Sequence, residues 1–147
     1  MRAVVQRVSR AAVEVGGREA AAIGRGLLAL VGIEEGDTEA DAAWLAQKLA
    51  HLRIFEDDGG KMNLSVKDVA GSLLLVPNFT VAGNARKGRR PGFDRAMRPE
   101  LAEPLFARLV AGAQSHGPPV RTGVFRAHML VSLVNDGPVT IWLDSRG

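Results

Sequence analysis

The segment Arg86-Lys87-Gly88-Arg89-Arg90 places four cations within five residues, and Arg95 and Arg98 follow it closely. A guanidinium group is a planar fork of hydrogen-bond donors, and clustered cations gain affinity by releasing counterions from a nucleic acid backbone. This spacing favours phosphate binding without sequence specificity. A solvated loop that only aids solubility is the alternative, and the small net charge of +3 does not decide between them.

No arrangement of side chains typical of acid–base, nucleophilic or metal chemistry is found in the sequence. The histidines, His51, His116 and His128, have no histidine or carboxylate beside them at metal-ligand spacing. The paired acids Glu34-Glu35 and Asp57-Asp58 lie in turn-like segments, where solvated charge is the ordinary interpretation. There is no cysteine, and no sequence typical of acyl-serine, nucleotide or dinucleotide chemistry. We predict no metal and no cofactor, and any catalysis must use few side chains.

The segment Asn135-Asp136-Gly137-Pro138-Val139-Thr140 lies between two apolar runs, Met129 to Val134 and Val139 to Leu143. Asp-Gly supplies the positive φ of a tight turn, and a proline suits the first position of a strand because it lacks an N–H. A β-hairpin is therefore the interpretation that the local sequence favours. A functional role for Gly137-Pro138 is the alternative.

The elements that position these segments begin with a predicted antiparallel meander. Gly26 to Ile33 follows as an apolar run, typical of a central strand buried on both faces. Thr38 and Asp41 stand at capping-box spacing and predict a helix whose apolar stripe is Leu45, Leu49 and Leu52. The predicted strands of the meander are Arg2 to Val8, Ala11 to Val15 and Arg18 to Ile23.

The second half of the chain has fewer regular patterns. A buried strand, Ser72 to Val76, ends at Pro77, and residues 83–98 form a long loop rich in Gly, Arg and Pro. A second helix is predicted from about Glu100 to Ala113, with Pro104 near its first turn and Leu101, Leu105 and Leu109 on one face. Another strand is predicted around Val120 to Phe125, before the two strands of the hairpin.

Composition and element order together predict a single domain, residues 1–147, with a mixed α+β fold of largely antiparallel β layers covered by two main helices. A chain with 46% hydrophobic residues can bury a core without disulfides. The N-terminus, Met1 to Arg7, alternates polar and apolar residues and lacks the apolar core of a signal peptide or membrane span. We therefore expect a cytoplasmic protein that is not associated with a membrane.

Several segments taken together resemble the D-aminoacyl-tRNA deacylase family. Three of them could contribute to a site: Val76-Pro77-Asn78-Phe79-Thr80, the basic cluster with Pro91-Gly92-Phe93 after it, and Asn135 to Thr140. The others are Met1 to Val8, Leu52 to Asp57 and Lys61 to Ser65, so that the resemblance extends over essentially the whole chain.

The resemblance implies the fold of that family and a homodimer that hydrolyses the ester joining a D-amino acid, or glycine, to the 3′ end of tRNA. In the family the pair equivalent to Gly137-Pro138 is cis and enters the partner's active site, where its backbone oxygens hold the amino group and exclude L side chains. The equivalents of Asn78, Phe79 and Thr80 belong to a motif whose backbone N–H groups polarise the substrate carbonyl, and the terminal ribose hydroxyl assists.

Two residue roles keep their alternatives open. Thr80 could be a nucleophile, but we favour a positioning role because no base lies beside it in sequence and a threonine hydroxyl needs activation. Arg7 is expected to brace the Gly137-Pro138 loop, and a surface strand charge is the other interpretation. The basic loop, Arg86, Lys87, Arg89 and Arg90, is expected to bind the tRNA.

The sequence departs from the family pattern at two places. Pro77 and Asn78 stand where the family usually has Ser and Gln, and a related animal branch with Pro at the first position has relaxed chirality. Phe125-Arg126-Ala127-His128-Met129 stands where the family usually has Phe-Gly-Ala-Asp-Met. The leading hypothesis is an aminoacyl-tRNA esterase. The alternatives are a dimeric RNA-binding relative that no longer catalyses, a relative with relaxed chirality, and a hydrolase of a small amide or ester.

Overall fold

The computed structural model describes residues 1–147 and contains eight strands, two α-helices and one short 3₁₀ helix. The helices are α1 (Glu39–His51) and α2 (Pro99–Ser115), and the 3₁₀ helix is Phe79–Ala82. The strands are β1 (Arg2–Val15), β2 (Arg18–Ile23), β3 (Gly26–Gly32), β4 (Phe55–Glu56), β5 (Met62–Leu64), β6 (Ser72–Pro77), β7 (Val120–Thr122) and β8 (Leu130–Asp144).

Six strands form one sheet in the order β2-β1-β3-β6-β7, with β8 paired to β1. The pairs β3–β6 and β6–β7 are parallel and the others are antiparallel, which confirms the predicted mixed fold with largely antiparallel strands. The predicted central strand is β3, which is buried along nearly its whole length. Successive leucines of β3 face opposite sides: Leu27 packs in the core that includes α1 and α2, and Leu28 in a second core with residues of β1 and β2.

The two main helices are present, but one differs in detail from its prediction. Asp41 accepts a hydrogen bond from the Thr38 N–H at 2.8 Å, as expected for a capping box. Helix α2 begins at Pro99, so Pro104 lies in the second turn and not near the first. Leu101, Leu105 and Leu109 follow one another at four-residue spacing, but they do not form the buried face of α2: only Leu109 is fully buried, and Leu101 is 54% exposed. The buried face consists of Ala102, Phe106, Leu109 and Ala113.

The two short strands predicted at the N-terminus are one continuous strand, β1. Ser9 and Arg10 are exposed and polar, which mimics a break in the sequence, but the backbone stays extended through them. The first half of β1 pairs with β3 and the second half with β2, while β8 follows its opposite edge. Because β1 changes its pairing partner at its midpoint, its backbone hydrogen bonds continue along the strand without a turn.

The predicted C-terminal hairpin is wrong, because β8 runs through the whole segment Leu130–Asp144 beside β1. Gln6 pairs with Thr140 and Val8 with Asn135, so residues 136–139 bulge out opposite Arg7 alone. The positive φ that favoured a turn is present at Gly137, +150°, where it serves this bulge. We call residues 136–139 the β8 bulge.

Residues 83–98 form the predicted irregular loop, and the segment folds back on itself between Asn84 and Gly92 through paired backbone hydrogen bonds of 2.8 Å. Its end is fixed to the rest of the fold by the Met97 N–H, which donates to the Ile33 carbonyl at 2.9 Å. Neither helix combines the length and the hydropathy that crossing a membrane requires.

Candidate active site

An apolar cavity of about 780 Å³ lies where β3 and β6 end. Carboxyl ends of parallel strands are a common position for ligand sites, because the chain leaves the sheet there in loops. The wall combines the end of β6 and the 3₁₀ helix, the start of α2 and the turn before β8. The lining residues from these elements are Val76, Pro77, Asn78, Phe79, Thr80, Met97, Arg98, Pro99, Ala102 and 125–129.

The motif Asn78-Phe79-Thr80 forms the start of the 3₁₀ helix and lines this cavity. The Asn78 side-chain oxygen accepts hydrogen bonds from the Thr80 N–H at 3.2 Å and the Thr80 hydroxyl at 2.5 Å. Both Thr80 donors are therefore engaged, and a carboxamide oxygen is too weak a base to activate a hydroxyl. The Phe79 N–H has no hydrogen-bond acceptor in the chain. The motif therefore has one free backbone donor, on a residue that lines the cavity.

Pro77 fits the end of β6 without loss of a ladder hydrogen bond. The last pairing of β7 to β6 joins Thr122 to Leu75, so no neighbouring strand needs a donor from Pro77. The chain is held again directly afterwards, because the Asn78 N–H donates to the Val31 carbonyl at 2.8 Å. Replacing the family's serine by proline leaves the motif anchored to β3.

Phe79 is 60% exposed and contacts the long loop through Phe93. The two rings are edge to face, with centroids 5.3 Å apart and planes at 74°. Gly83 allows this contact, since a Cβ there would lie 2.8 Å from the Thr80 carbonyl oxygen and 3.0 Å from the Phe93 ring. The loop that contains the basic cluster is therefore packed directly on the motif.

The β8 bulge is held from inside by Arg7. This side chain is only 6% exposed, and it donates to the Asp136 carbonyl and to the Ile54 carbonyl, each at 2.8 Å. The Gly137–Pro138 peptide bond is cis. A Cβ on Gly137 would lie 2.7 Å from two atoms of Val139, so no other residue fits there without displacing the bulge.

Asn135 replaces the ladder hydrogen bonds that the β8 bulge interrupts. Its side-chain oxygen accepts from the Val139 N–H at 2.8 Å, and its amide nitrogen donates to Gln6 at 3.1 Å. The same nitrogen lies 3.2 Å from the Val139 carbonyl oxygen and 3.1 Å from the Thr140 hydroxyl. A side chain that bonds to the backbone in this way fixes both ends of the bulge.

Replacing Arg7 with methionine should destabilise the fold by about 2–3 kcal/mol, because a charged donor to two carbonyls is lost while its stem volume is roughly kept. Thermal and denaturant unfolding of the variant measure this loss. Arg10→Met is the matched control, since Arg10 lies on the same strand and is exposed. Equal losses in both variants would contradict a bracing role for Arg7.

The sequence-predicted site residues fall into two separate groups in the structure. Asn78, Phe79 and Thr80 line the cavity, whereas Gly137 and Pro138 are exposed on β8 and do not line it. One chain alone does not bring the two groups together.

The basic cluster lies on the surface of the long loop. Arg86, Lys87, Arg89 and Arg90 are all exposed, and none forms an ion pair with a carboxylate. Arg86 also lines a smaller polar cavity of about 400 Å³ with Arg2 and Arg95. The cluster is free to contact an external anion.

Four carboxyl groups have a lowered pKa, and none of them lines the large cavity: Asp41, Asp57, Asp68 and Asp144. The Asn63 amide, 2.8 Å from Asp57, stabilises the ionised form and lowers the pKa of that carboxyl. Burial opposes ionisation of Asp41, but hydrogen bonds from Ser145 and Thr38 outweigh it and lower the pKa. These shifts belong to structural contacts.

Sequence reasoning did not predict the part of the wall formed by the end of the long loop and the start of α2, which are Met97, Arg98, Pro99 and Ala102. Nothing in the sequence places the start of α2 against the end of β6. The long irregular loop that ends at the start of α2 is the one feature of the sequence that indicates a site there. The segment Phe125 to Met129 was noted only as a departure from the family pattern, and it forms one side of the cavity.

These features define a class of protein: a mixed α+β fold whose apolar cavity offers a backbone donor and no carboxylate, beside an unpaired basic loop. The sequence model of the D-Tyr-tRNA(Tyr) deacylase family matches residues 4–144. The chain belongs to that family.

Individual relatives agree with this assignment over nearly the whole chain. The D-aminoacyl-tRNA deacylase of Geobacter sulfurreducens is 60% identical over 146 residues, 99% of this chain and 96% of the relative. The D-aminoacyl-tRNA deacylase of Thermomicrobium roseum is 57% identical over 145 residues, which are 99% of this chain and 94% of the relative.

Solved structures show the same fold. The c-Myc DNA Unwinding Element Binding Protein is 41% identical and superposes with a TM-score of 0.92 over 98% of each chain. A probable eukaryotic D-amino acid tRNA deacylase superposes with a TM-score of 0.80 over 97% of each chain. At 16% identity, that second likeness shows the fold alone.

Proposed function

We propose that this protein hydrolyses the ester bond of D-aminoacyl-tRNA, and of glycyl-tRNA, to release the amino acid and tRNA. The observation that supports this most directly is the free N–H of Phe79, a residue that lines the apolar cavity. The chain that carries this N–H group is 60% identical to a protein named D-aminoacyl-tRNA deacylase. An aminoacyl ester is already activated, so oriented donors supply much of what its hydrolysis needs.

In the proposed mechanism, water adds to the ester carbonyl carbon and the Phe79 N–H donates to the oxyanion that forms. Collapse of this intermediate breaks the bond to the ribose oxygen, which leaves with a proton as the tRNA hydroxyl. The terminal ribose hydroxyl next to the ester assists proton transfer. Thr80 positions the motif through Asn78, consistent with the hydrogen bonds that both its donors make.

The β8 bulge is proposed to complete the cavity of a second copy in a homodimer. Strand β8 pairs only with β1, so its other edge has unpaired backbone groups. Its apolar side chains Leu130, Val134 and Trp142 are 58%, 40% and 53% exposed, which favours burial against another protein surface. The exposed Gly137-Pro138 carbonyls would then bind the substrate amino group and exclude L side chains.

Hydrolysis of matched D- and L-aminoacyl-tRNA by the purified protein tests the proposed function. We expect release from the D ester and much slower release from the L ester. Similar rates on both would support relaxed chirality linked to Pro77-Asn78. Retained tRNA binding without release from either would support the non-catalytic relative, and hydrolysis confined to small esters or amides would support the third hypothesis.

The basic loop is proposed to bind the tRNA backbone. Replacing Arg89 and Arg90 with serine should weaken tRNA binding and reduce the slope of log K against log salt by about 1.4–1.8 if both contact phosphates. Affinities measured over a range of salt concentrations test this. The double variant Arg18→Ser/Arg121→Ser is the charge-matched control on exposed strand positions. An unchanged slope in the loop variant would leave the cluster as a solubilising surface.

A further inference from the structure

The turn before β8 contains an arginine in a conformation that favours glycine. Residues 124–127 form this turn, closed by the Ala127 N–H, which donates to the Val124 carbonyl at 3.3 Å. Arg126 occupies the third position with φ +65°. A positive φ there is typical of type II turns, in which glycine or asparagine is preferred. The backbone conformation alone would select a residue other than arginine.

Arg126 and the nearby His128 both line the large cavity and are exposed. Neither side chain has an ion pair or a hydrogen bond in the structure. Arg98 lines the same cavity, and its carboxylate partner, Glu100, is an exposed residue outside the cavity wall. No acidic residue lines the cavity, so no carboxylate in its wall pairs with these side chains.

This combination favours a ligand with an uncharged part and an adjacent anion. The apolar wall suits a base or an amino acid side chain, whereas an arginine fork suits a phosphate. The substrate of the proposed function has such a group close to its reacting end, the phosphodiester that precedes the terminal nucleoside.

We propose that Arg126, assisted by the His128 ring, binds the phosphate on the 5′ side of the substrate's terminal nucleoside. This rests on the proposed function. The contact is distinct from the basic loop, because it involves the nucleotide seated in the cavity and not the body of the tRNA. It gives a physical role to an arginine that occupies a glycine-favouring position.

The test compares two stable analogues that differ by one phosphate: 3′-(D-phenylalanylamido)-3′-deoxyadenosine with and without a 5′-phosphate. Calorimetry on the wild-type protein should show about tenfold tighter binding of the phosphorylated analogue, the range expected for a charge-assisted hydrogen bond. Arg126→Gly should remove most of that difference, because it weakens binding of the phosphorylated analogue much more than binding of the unphosphorylated one. Arg126→Lys, which keeps the charge but not the fork, should keep part of it.

The variant Arg126→Gly is favourable for folding because it places glycine where φ is positive. Its melting temperature should equal or exceed that of the wild type, which separates loss of binding from loss of structure. Arg108→Ala is the control, since Arg108 is an exposed arginine of α2 paired with Glu39, outside the cavity wall. It should keep the tenfold difference.

Three results would overturn the proposal: equal binding of both analogues to the wild type, binding of neither, or a tenfold difference that survives in Arg126→Gly. The proposed function fails separately, when the wild-type protein releases no amino acid from D-aminoacyl-tRNA although it still distinguishes the two analogues.

Discussion

Replacing Gly137 with alanine should lower kcat/KM for a D-aminoacyl-tRNA by about a hundredfold, the scale expected when a binding group is displaced by about 1 Å. An added Cβ would lie 2.7 Å from the Val139 nitrogen and from its Cγ2 atom, and 3.3 Å from an Arg7 guanidinium nitrogen. The β8 bulge must therefore shift, and with it the carbonyl groups proposed to bind the amino group. Deacylation kinetics at saturating and limiting substrate measure the loss.

Gly17→Ala is the matched control for this variant. Gly17 also has a positive φ, +79°, but a Cβ there meets nothing within 4 Å. Both variants place alanine in a conformation that favours glycine, and only Gly137→Ala disturbs the bulge. Activity of Gly137→Ala close to that of Gly17→Ala would contradict a role for the bulge in the site.

Replacing Phe79 with proline should lower kcat by about 10²–10³, the usual effect of removing one oxyanion donor. Proline removes only the N–H from the backbone and is tolerated at the first position of a helix. Phe79→Ala keeps the N–H and loses the contact with Phe93, so it should be much less impaired. The comparison of the two variants isolates the backbone donor from the ring.

Thr80→Ala decides between the two roles proposed for that residue. With Thr80 in a positioning role we expect kcat to stay within about tenfold of the wild type, since one side-chain hydrogen bond to Asn78 is lost. A loss larger than that of Phe79→Pro would instead identify Thr80 as the nucleophile.

Mixing Gly137→Ala with Phe79→Pro tests whether two subunits share each site. In a heterodimer one site would combine an intact bulge with an intact cavity, and the other site would have both defects. Activity should therefore rise well above that of either variant after subunit exchange. No recovery, with exchange verified by labelled subunits, would contradict a site shared between two subunits.

The sequence was sufficient for the parts of the fold that depend on local rules. The continuous apolar character and the length of Gly26 to Ile33 predicted β3, and the capping pair Thr38 and Asp41 predicted the start of α1. These features depend on neighbours in sequence, which a single sequence displays. The long loop was predicted for the same reason.

The wrong predictions concern structures that are determined by contacts between residues far apart in sequence. Asp136-Gly137-Pro138 is locally compatible with a hairpin and with a bulge, and pairing with β1 on both sides selects the bulge. The buried face of α2 depends on which side of the helix packs against α1 and the sheet, which the spacing of the leucines alone does not determine.

The candidate site also combines features that the sequence indicates with features that depend on the fold. The resemblance supplied Asn78, Phe79 and Thr80, and the charge pattern itself supplied the basic loop. The hydrogen bonds of Thr80 and the free Phe79 N–H are seen only in the folded backbone. Arg126 could be noted in the sequence as unusual, but its cavity and its positive φ could not.

The pairing of β1 with β8 joins the first and last strands of the chain, with partners as far apart as Arg2 and Asp144. During synthesis from the N-terminus, the edge of β1 that pairs with β8 therefore stays unpaired until nearly all of the protein has been made. Arg7 is made early, but its contact with Asp136 forms only after residue 136 has emerged. A nascent or truncated chain that ends before β8 has no bulge, so the device proposed to discriminate substrates exists only in chains whose translation has reached β8.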